Sequence, residues 1–268
     1  MLDFLKRKKR VFIMAGGEGK RWKKTGGEGI KQMAPVDGEP VIHRTFRQVE
    51  GYEVFLVASP WQRDIICPPK GIGFIDSSET GWWCHGFQGT AEFWGKRNIC
   101  LLGDVFFSDR AMQRLLDAEN LHVLGRREGS PITGGPGETF ALTFKKSDAP
   151  RLIEASNLAM RHADGYPVEK MPRPGYDALG CPLATPWQLY RILIGVQPEM
   201  HVTDTDIWLE HSDFTDDFDT YNEWVKWTAR YARRMIKEPK LPKHDGELSQ
   251  FVFKDEEGND VEPVDVSS

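Results

Sequence analysis

The sequence predicts an α/β fold: one domain on a mixed, mainly parallel sheet flanked by helices, closed by a C-terminal helix and an acidic tail. Three observations carry this. Short apolar runs of strand length recur at 11–15, 53–58, 72–75, 99–102 and 121–124. Helically spaced segments lie between them, at 41–50 and about 109–119. Two of the runs end in glycine, at Gly16-Gly17 and at Gly103, as strands do when they feed turns.

Taken in order, Val11-Phe12-Ile13-Met14-Ala15 is apolar at every position, as a strand covered on both faces requires. Residues 18–29 hold four Lys or Arg and four glycines with no period, so a loop is expected. Val41, Ile42, Phe46 and Val49 fall at helical spacing. The runs at 53–58 and 72–75 are a second and a third strand, and Ile99-Cys100-Leu101-Leu102 is another, ending in Gly103-Asp104. A helix at about 109–119 and a short strand at 121–124 follow.

Beyond Arg126, residues 129–137 are a Gly/Pro-rich loop, and 139–144 alternate as a strand with Phe140, Leu142 and Phe144 lining the sheet. Residues 147–162 have a helical pattern, and 163–182 read as a loop or linker. The last helix, 221–237, places Tyr221, Trp224, Val225, Thr228, Tyr231, Ala232 and Met235 on one face. Thr220 and Glu223 fit a capping box at its start, and Pro239 and Pro242 follow its end. The acidic tail after Lys254 is expected to fray.

The 268 residues carry 35 Lys plus Arg against 40 Asp plus Glu, a formal net charge of -5. A protein living on nucleic-acid backbone contacts is usually basic, so no stable nucleic-acid complex is expected. Four cysteines, at 67, 84, 100 and 181, form no CxxC pair, which fits reduced thiols in a cytoplasmic setting. The basic run at 6–10 follows only a very short apolar start, the reverse of a signal peptide, and no run is long enough to span a bilayer. Cys84-His85 with Cys100 lacks the second close-spaced pair that a zinc site needs.

The chemistry concentrates in three stretches. In Met14-Ala15-Gly16-Gly17-Glu18-Gly19-Lys20-Arg21, glycines after a strand let the backbone approach a phosphate chain, and Lys20 and Arg21 supply positive charge. It is neither a P-loop, since Arg21 follows Lys20 where Ser or Thr is needed, nor a dinucleotide fingerprint, since Trp22 stands at the third glycine. Asp104 follows a buried strand, where open α/β sheets hold ligands, and a carboxylate there suits Mg²⁺. Asp216-Asp217-Phe218-Asp219-Thr220 packs acids just before the last helix. Asp213 and Asp216 suit a plain complement to that helix dipole, and Asp109 suits a helix N-cap.

The ordered string AGGxGxR, then Lys31-Gln32 and Pro35-Val36-Asp37-Gly38-Glu39-Pro40 ahead of Val41, resembles the opening of the nucleotidyltransferases with a GT-A-like, Rossmann-like fold. Sugar-phosphate nucleotidyltransferases and the molybdenum-cofactor guanylyltransferase type belong to that family. The likeness covers about residues 11–45 and departs at Ile30, where the family commonly has Pro. It implies a nucleotide-binding set of Ala15, Gly16, Gly17, Gly19, Lys20, Arg21 and Lys31, with Arg21 and Lys31 on the phosphates. Asp104 resembles the family's Mg²⁺ aspartate in Leu-Gly-Asp, and Asp217 or Asp219 would supply the second metal ligand. Gly89-Thr90-Ala91 resembles a family Gly-Thr-Ala that opens a helix beside the nucleobase, so Gly89 and Thr90 join the nucleotide set.

The resemblance implies a cytoplasmic Mg²⁺-dependent enzyme, with Arg21, Lys31 and Asp104 as catalytic residues. It would transfer NMP from an NTP to a small phosphorylated acceptor, a sugar 1-phosphate. Residues 1–240 would form the transferase domain, 11–125 the NTP-binding half, 126–220 the acceptor-binding half and 241–268 an extension. The alternatives are a GT-A glycosyltransferase, whose usual Asp-x-Asp is missing at Asp104-Val105-Phe106, and a non-catalytic nucleotide-binding homologue. His201 and His211 around Asp204 and Asp206 are a further candidate for the acceptor side. Trp82, Trp83 and Trp187 could stack on a ligand but are expected in core packing.

Overall fold

A computed structural model of the chain describes residues 9–78, 82–127, 130, 137–167, 183–197, 205–211, 213–237, 253–254 and 260–261. Residues 6–8 of the basic run at 6–10, most of the loops expected at 129–137 and 163–182, and most of the C-terminal extension lie outside the described residues, as do Cys181, His201 and Asp204.

The strands of the first half are β1 (Lys9–Met14), β4 (Glu53–Ala58), β5 (Gly73–Asp76) and β6 (Arg97–Leu102), after a small hairpin of β2 (Pro35–Val36) and β3 (Glu39–Pro40). Then come β7 (Val105–Phe106), β8 (His122–Arg126), β9 (Glu138–Lys145), β10 (Trp208–Glu210) and β11 (Asp216–Asp217). The helices are α1 (Lys20–Lys24), α2 (Val41–Gln48), α3 (Pro60–Ile66), α4 (Trp83–Gly89), α5 (Asp109–Asp117), α6 (Ala149–Asp164), α7 (Pro186–Leu193) and α8 (Tyr221–Lys237).

Seven strands form one sheet in the order β10-β8-β9-β6-β1-β4-β5, with β9 antiparallel to both neighbours and the other pairs parallel. The expected mixed, mainly parallel sheet is thus observed. One face packs against α4, α6 and α7 through Phe12, Cys100, Leu142 and Phe144, and the other against α2, α3 and α5 through Val11, Ile13, Leu101 and Phe140. Trp83 and Trp187 serve in packing, stacked on Phe87 and Trp208 respectively.

Two local expectations are corrected. Phe140 does not share a face with Leu142 and Phe144, because a bulge between Leu124 and Gly125 shifts the β8–β9 register and turns it to the opposite layer. The 18–29 stretch is not all loop, since α1 forms within it and buries Trp22 under the C-terminal helix.

Helix α8 starts as expected: Glu223 Oε2 accepts from the Thr220 N–H at 2.9 Å, and Thr220 Oγ1 accepts from the Glu223 N–H at 3.2 Å. Its buried face centres on Trp227, fully buried, and Tyr231, flanked by Phe106, Phe214 and Phe218. Trp22 meets this helix edge-on at Tyr221 and Trp224. Among the described residues, no helix is long and apolar enough to cross a membrane.

Candidate active site at the carboxyl edge of the sheet

Met14 and Leu102 are register partners at the ends of the parallel strands β1 and β6, so the glycine loop and Gly103-Asp104 leave the sheet side by side. The Gly103 N–H donates to the Met14 carbonyl at 2.8 Å. A Cβ on Gly103 would stand 3.0 Å from Ala15 Cβ and 3.1 Å from the Met14 oxygen, so glycine lets the two turns approach this closely. Asp104 therefore emerges beside the loop at the edge where open α/β sheets hold ligands.

Three anchors hold the loop. The Ala15 N–H donates to the Val57 carbonyl at 2.8 Å. Gln32, 1% exposed, donates from Nε2 to the Ala15 carbonyl at 3.1 Å. Gln62 donates to the Gly17 carbonyl at 2.9 Å. Both backbone groups of Ala15 are thus engaged in shaping the loop, while Gly16 and Gly17 are exposed beyond it. Gly19 takes the left-handed conformation, φ 63°, and turns the chain into α1. Lys20 points outward, its side chain 85% exposed, and pairs with Glu18 at 2.9 Å. Arg21 turns inward.

Lys31 opens a short 3₁₀ turn, Lys31–Met33, between the buried side chains of Ile30 and Gln32. Ile30, which stands where the family commonly has Pro, is a core residue beside Val11 and Ile13. The Lys31 ammonium pairs with Asp104 and lies 3.0 Å from Asp219 Oδ1. Arg21 Nη1 holds the other Asp219 oxygen at 2.6 Å. Three separated stretches of the chain therefore meet at one cluster.

Topology explains the meeting. After Asp104 the chain forms β7, and β11 pairs with it antiparallel, Asp217 opposite Val105 and Asp216 opposite Phe106. The acidic segment is thereby laid beside Asp104. The α8 cap then fixes its far end, as Glu223 Oε2 also accepts from the Asp219 N–H at 3.0 Å.

Electrostatics separates the acids into two roles. Burial opposes the charge on Lys31, yet Asp104, Asp219 and Asp217 raise its pKa above the ordinary lysine value. Burial likewise opposes ionisation of Asp219, but Lys31 and Arg21 hold its carboxyl below the usual range. Asp217 behaves oppositely: burial first, then the facing Glu138, pushes it well above that range. Glu138 is pushed up to about 7 by burial, with Asp219 and Asp216 adding to the effect and Asp217 and Arg126 opposing it. The two facing carboxyls thus share a hydrogen bond, with the proton favoured on Asp217.

Carboxylate oxygens of Glu138, Asp217 and Asp219 all lie within 4.8 Å of one another. An all-oxygen, anionic set of this spacing suits a hard divalent cation such as Mg²⁺, which would take the place of the shared proton. Glu138 was not among the residues picked out by the sequence. Its one visible signal is an acid heading a strand after a glycine-rich stretch.

Several expected site residues fall elsewhere. Gly89 ends α4, and Thr90 joins that helix to a short 3₁₀ turn, Ala91–Phe93, which it caps. Thr90 is 1% exposed, and its hydroxyl donates to the Phe87 carbonyl at 2.6 Å and accepts from Trp94 Nε1 at 2.7 Å. Trp94 packs on Phe144, the register partner of Asn98 near the start of β6. Asn98 itself lies about 13 Å of strand from the Asp104 turn. A dipeptide does not say which end of its helix faces the site.

The bland reading of Asp213 and Asp216 is also corrected. Asp216 is buried and bonded to Arg126 at 2.8 Å, rather than set against the α8 dipole. Asp213 accepts from Ser108 and from the Thr215 N–H and pairs with His211 Nε2 at 2.7 Å; these partners overcome its burial and hold its carboxyl at about 2. His211 is thereby a buried structural partner, 3% exposed, and not an open acceptor-side group. Ser108, not Asp109, caps α5, because its hydroxyl accepts from the Ala111 N–H. Asp109 instead pairs with Arg44 at 2.7 Å.

No family model and no curated protein matches the sequence. Solved structures do match the fold. One is from Mycobacterium sp. strain JC1, a homologue of the Mycobacterium tuberculosis protein rv0371c. It aligns at 13% identity with a TM-score of 0.52, over 85% of this chain and 98% of the other. Another, from Bacillus anthracis, is assigned as a glucose-1-phosphate thymidylyltransferase and was solved with sucrose. It aligns at 15% identity with a TM-score of 0.51, over 89% of this chain and 98% of the other.

Proposed function

We propose that this chain, which has the nucleotidyltransferase fold, is a Mg²⁺-dependent enzyme transferring NMP from an NTP to a small phosphorylated acceptor, a sugar 1-phosphate. The observation that carries the reading is the convergence of Arg21, Lys31, Asp104 and Asp219 on one cluster beside the glycine loop. Residues 11–125 would hold the nucleotide, and 126–220 would supply the acceptor side.

In the reaction an acceptor phosphate oxygen forms a bond to the α-phosphorus of the NTP, the bond from that phosphorus to the bridging oxygen breaks, and pyrophosphate leaves. The acceptor phosphate is ionised at neutral pH, so no general base is required. The difficulty is that two anions must meet, and catalysis of such steps is mostly positioning plus electrostatic stabilisation. The exposed glycine loop and Arg21 would hold the departing pyrophosphate. Lys31, whose charge its neighbours secure, would neutralise charge at the reacting phosphates. Asp104, Asp217 and Asp219 would hold the divalent ion, with Glu138 beside the last two. Bound there, the ion would supply charge neutralisation at the reacting phosphates.

The glycosyltransferase alternative has no support at the metal position, because Val105 and Phe106 follow Asp104 into β7 and no second aspartate stands there. The deciding experiment is a matrix of CTP, UTP, GTP, ATP and dTTP against sugar 1-phosphates and phosphocholine, read by pyrophosphate release. Release that needs both an NTP and an acceptor supports the assignment. Tight NTP binding with no release in any pairing would favour a non-catalytic nucleotide-binding protein.

A further inference from the structure

Strand β11 carries Asp217 and leads to Asp219, yet β11 and its ladder partner β7 are each 2 residues long. A ladder that short is marginal by itself. A second restraint comes from Arg126, the last residue of β8 within the seven-stranded sheet. Its side chain is 4% exposed and lies over the Phe140 ring, 5.3 Å from the centroid. The guanidinium donates from Nη2 to Asp216 Oδ1 at 2.8 Å and from Nη1 to the Thr215 carbonyl at 3.2 Å. The other Asp216 oxygen accepts from Ser130 Oγ at 2.5 Å.

One planar fork therefore grips the acidic segment by a backbone carbonyl and a side chain at once, a grip that a lysine cannot reproduce. Successive strand residues point to opposite faces. Holding Asp216 on one face presents Asp217 on the other, where Glu138 and Asp219 stand. Buried ion pairs are often replaceable by apolar side chains without loss of stability, so burial of this one is weak evidence of a purely stabilising role.

We propose that Arg126 is a positioning residue that sets Asp217 and Asp219 against Asp104, and thereby governs affinity for the divalent ion rather than for the nucleotide. The inference rests on the nucleotidyltransferase reading. The groups assigned to the triphosphate are carried by the β1 loop, α1 and the Lys31–Met33 turn, whereas the hydrogen bonds of Arg126 go to Thr215 and Asp216.

The test compares the full chain with Arg126→Met and Arg126→Lys. Mn²⁺ affinity is measured by the paramagnetic resonance of the free ion, and NTP binding in EDTA by calorimetry. Arg126→Met is expected to weaken Mn²⁺ binding by about 10–100-fold, with metal-free NTP binding not weakened and kcat recovering as Mg²⁺ is raised. Arg126→Lys should restore only part of the metal affinity. If Arg126→Met does not fold, Asp216→Asn loosens the same grip and should shift Mn²⁺ affinity in the same direction. Unchanged Mn²⁺ affinity in a folded variant overturns the proposal, and so does a parallel loss of metal and nucleotide binding. The two readings fail separately: missing pyrophosphate release counts against the transferase assignment, whereas the Mn²⁺ titration decides Arg126 irrespective of turnover.

Discussion

Lys31 and Asp219, 188 positions apart in sequence, meet with the lysine ammonium 3.0 Å from Asp219 Oδ1. The same ammonium pairs with Asp104, and Arg21 holds the second Asp219 oxygen. The cations suited to a triphosphate are thus neutralised by the anions suited to a metal. Either ligand arriving alone must break these pairs and leave one partner uncompensated. Both arriving together give every charge a new partner.

Positive coupling between metal and nucleotide follows from that exchange. NTP affinity is expected to rise about 5–150-fold when Mg²⁺ is present, the usual span of coupling between sites. Calorimetric titration with and without Mg²⁺ measures it; equal affinities would show that the pairs are not exchanged.

Lys31→Met should cut turnover by about 10²–10³-fold, the usual cost of losing one donor to developing charge. A wild-type rate of pyrophosphate release would remove Lys31 from the reaction.

Asp104→Ala should abolish turnover while circular dichroism shows the fold retained, since Asp219 remains as a partner for Lys31. Near-normal activity would refute its assignment to the metal.

The raised Glu138 gives the metal-free protein a pH signature. Its carboxyl stands at about 7 when folded against an ordinary 4.5, so the folded state holds more protons between those values. Stability contributed by the protonated form is complete below about 4.5 and is lost as pH rises through about 7. Melting temperature in EDTA should therefore fall over that window, and Glu138→Gln should flatten the slope. Mg²⁺ should raise the melting temperature most at the alkaline end, where the carboxylates are ionised. A slope unaffected by Glu138→Gln would show that other groups set it.

Gly27→Ala tests the packing of Trp22 against α8. A Cβ there would fall 2.2 Å from the Trp22 ring, which in turn packs on the first turn of α8. Overpacking of this kind costs about 1–3 kcal/mol, to be read from urea unfolding of the variant. No loss would mean that the loop rearranges freely.

The sequence by itself determined the local features. Uniformly apolar runs of strand length can be buried only between two layers, so β1, β4 and β6 were legible near their observed bounds. The α8 capping box was legible because its partners are three residues apart. Arg21, Lys31 and Asp104 were picked out by their resemblance to family motifs, each a contiguous stretch of chain.

Only the tertiary structure decided what depends on partners distant in the chain. Glu138 joins the acidic cluster because β9 sets it near β11, and Thr90 is buried with its hydroxyl engaged by Trp94. Trp227 fills the centre of the α8 face because Phe106 and Phe218 arrive from elsewhere. Among aspartates that look alike in sequence, Asp216 is taken by a buried arginine and Asp217 is left to face Glu138. A carboxyl group's role is set by which charges and how much water surround it, and those neighbours are assembled only when the chain folds.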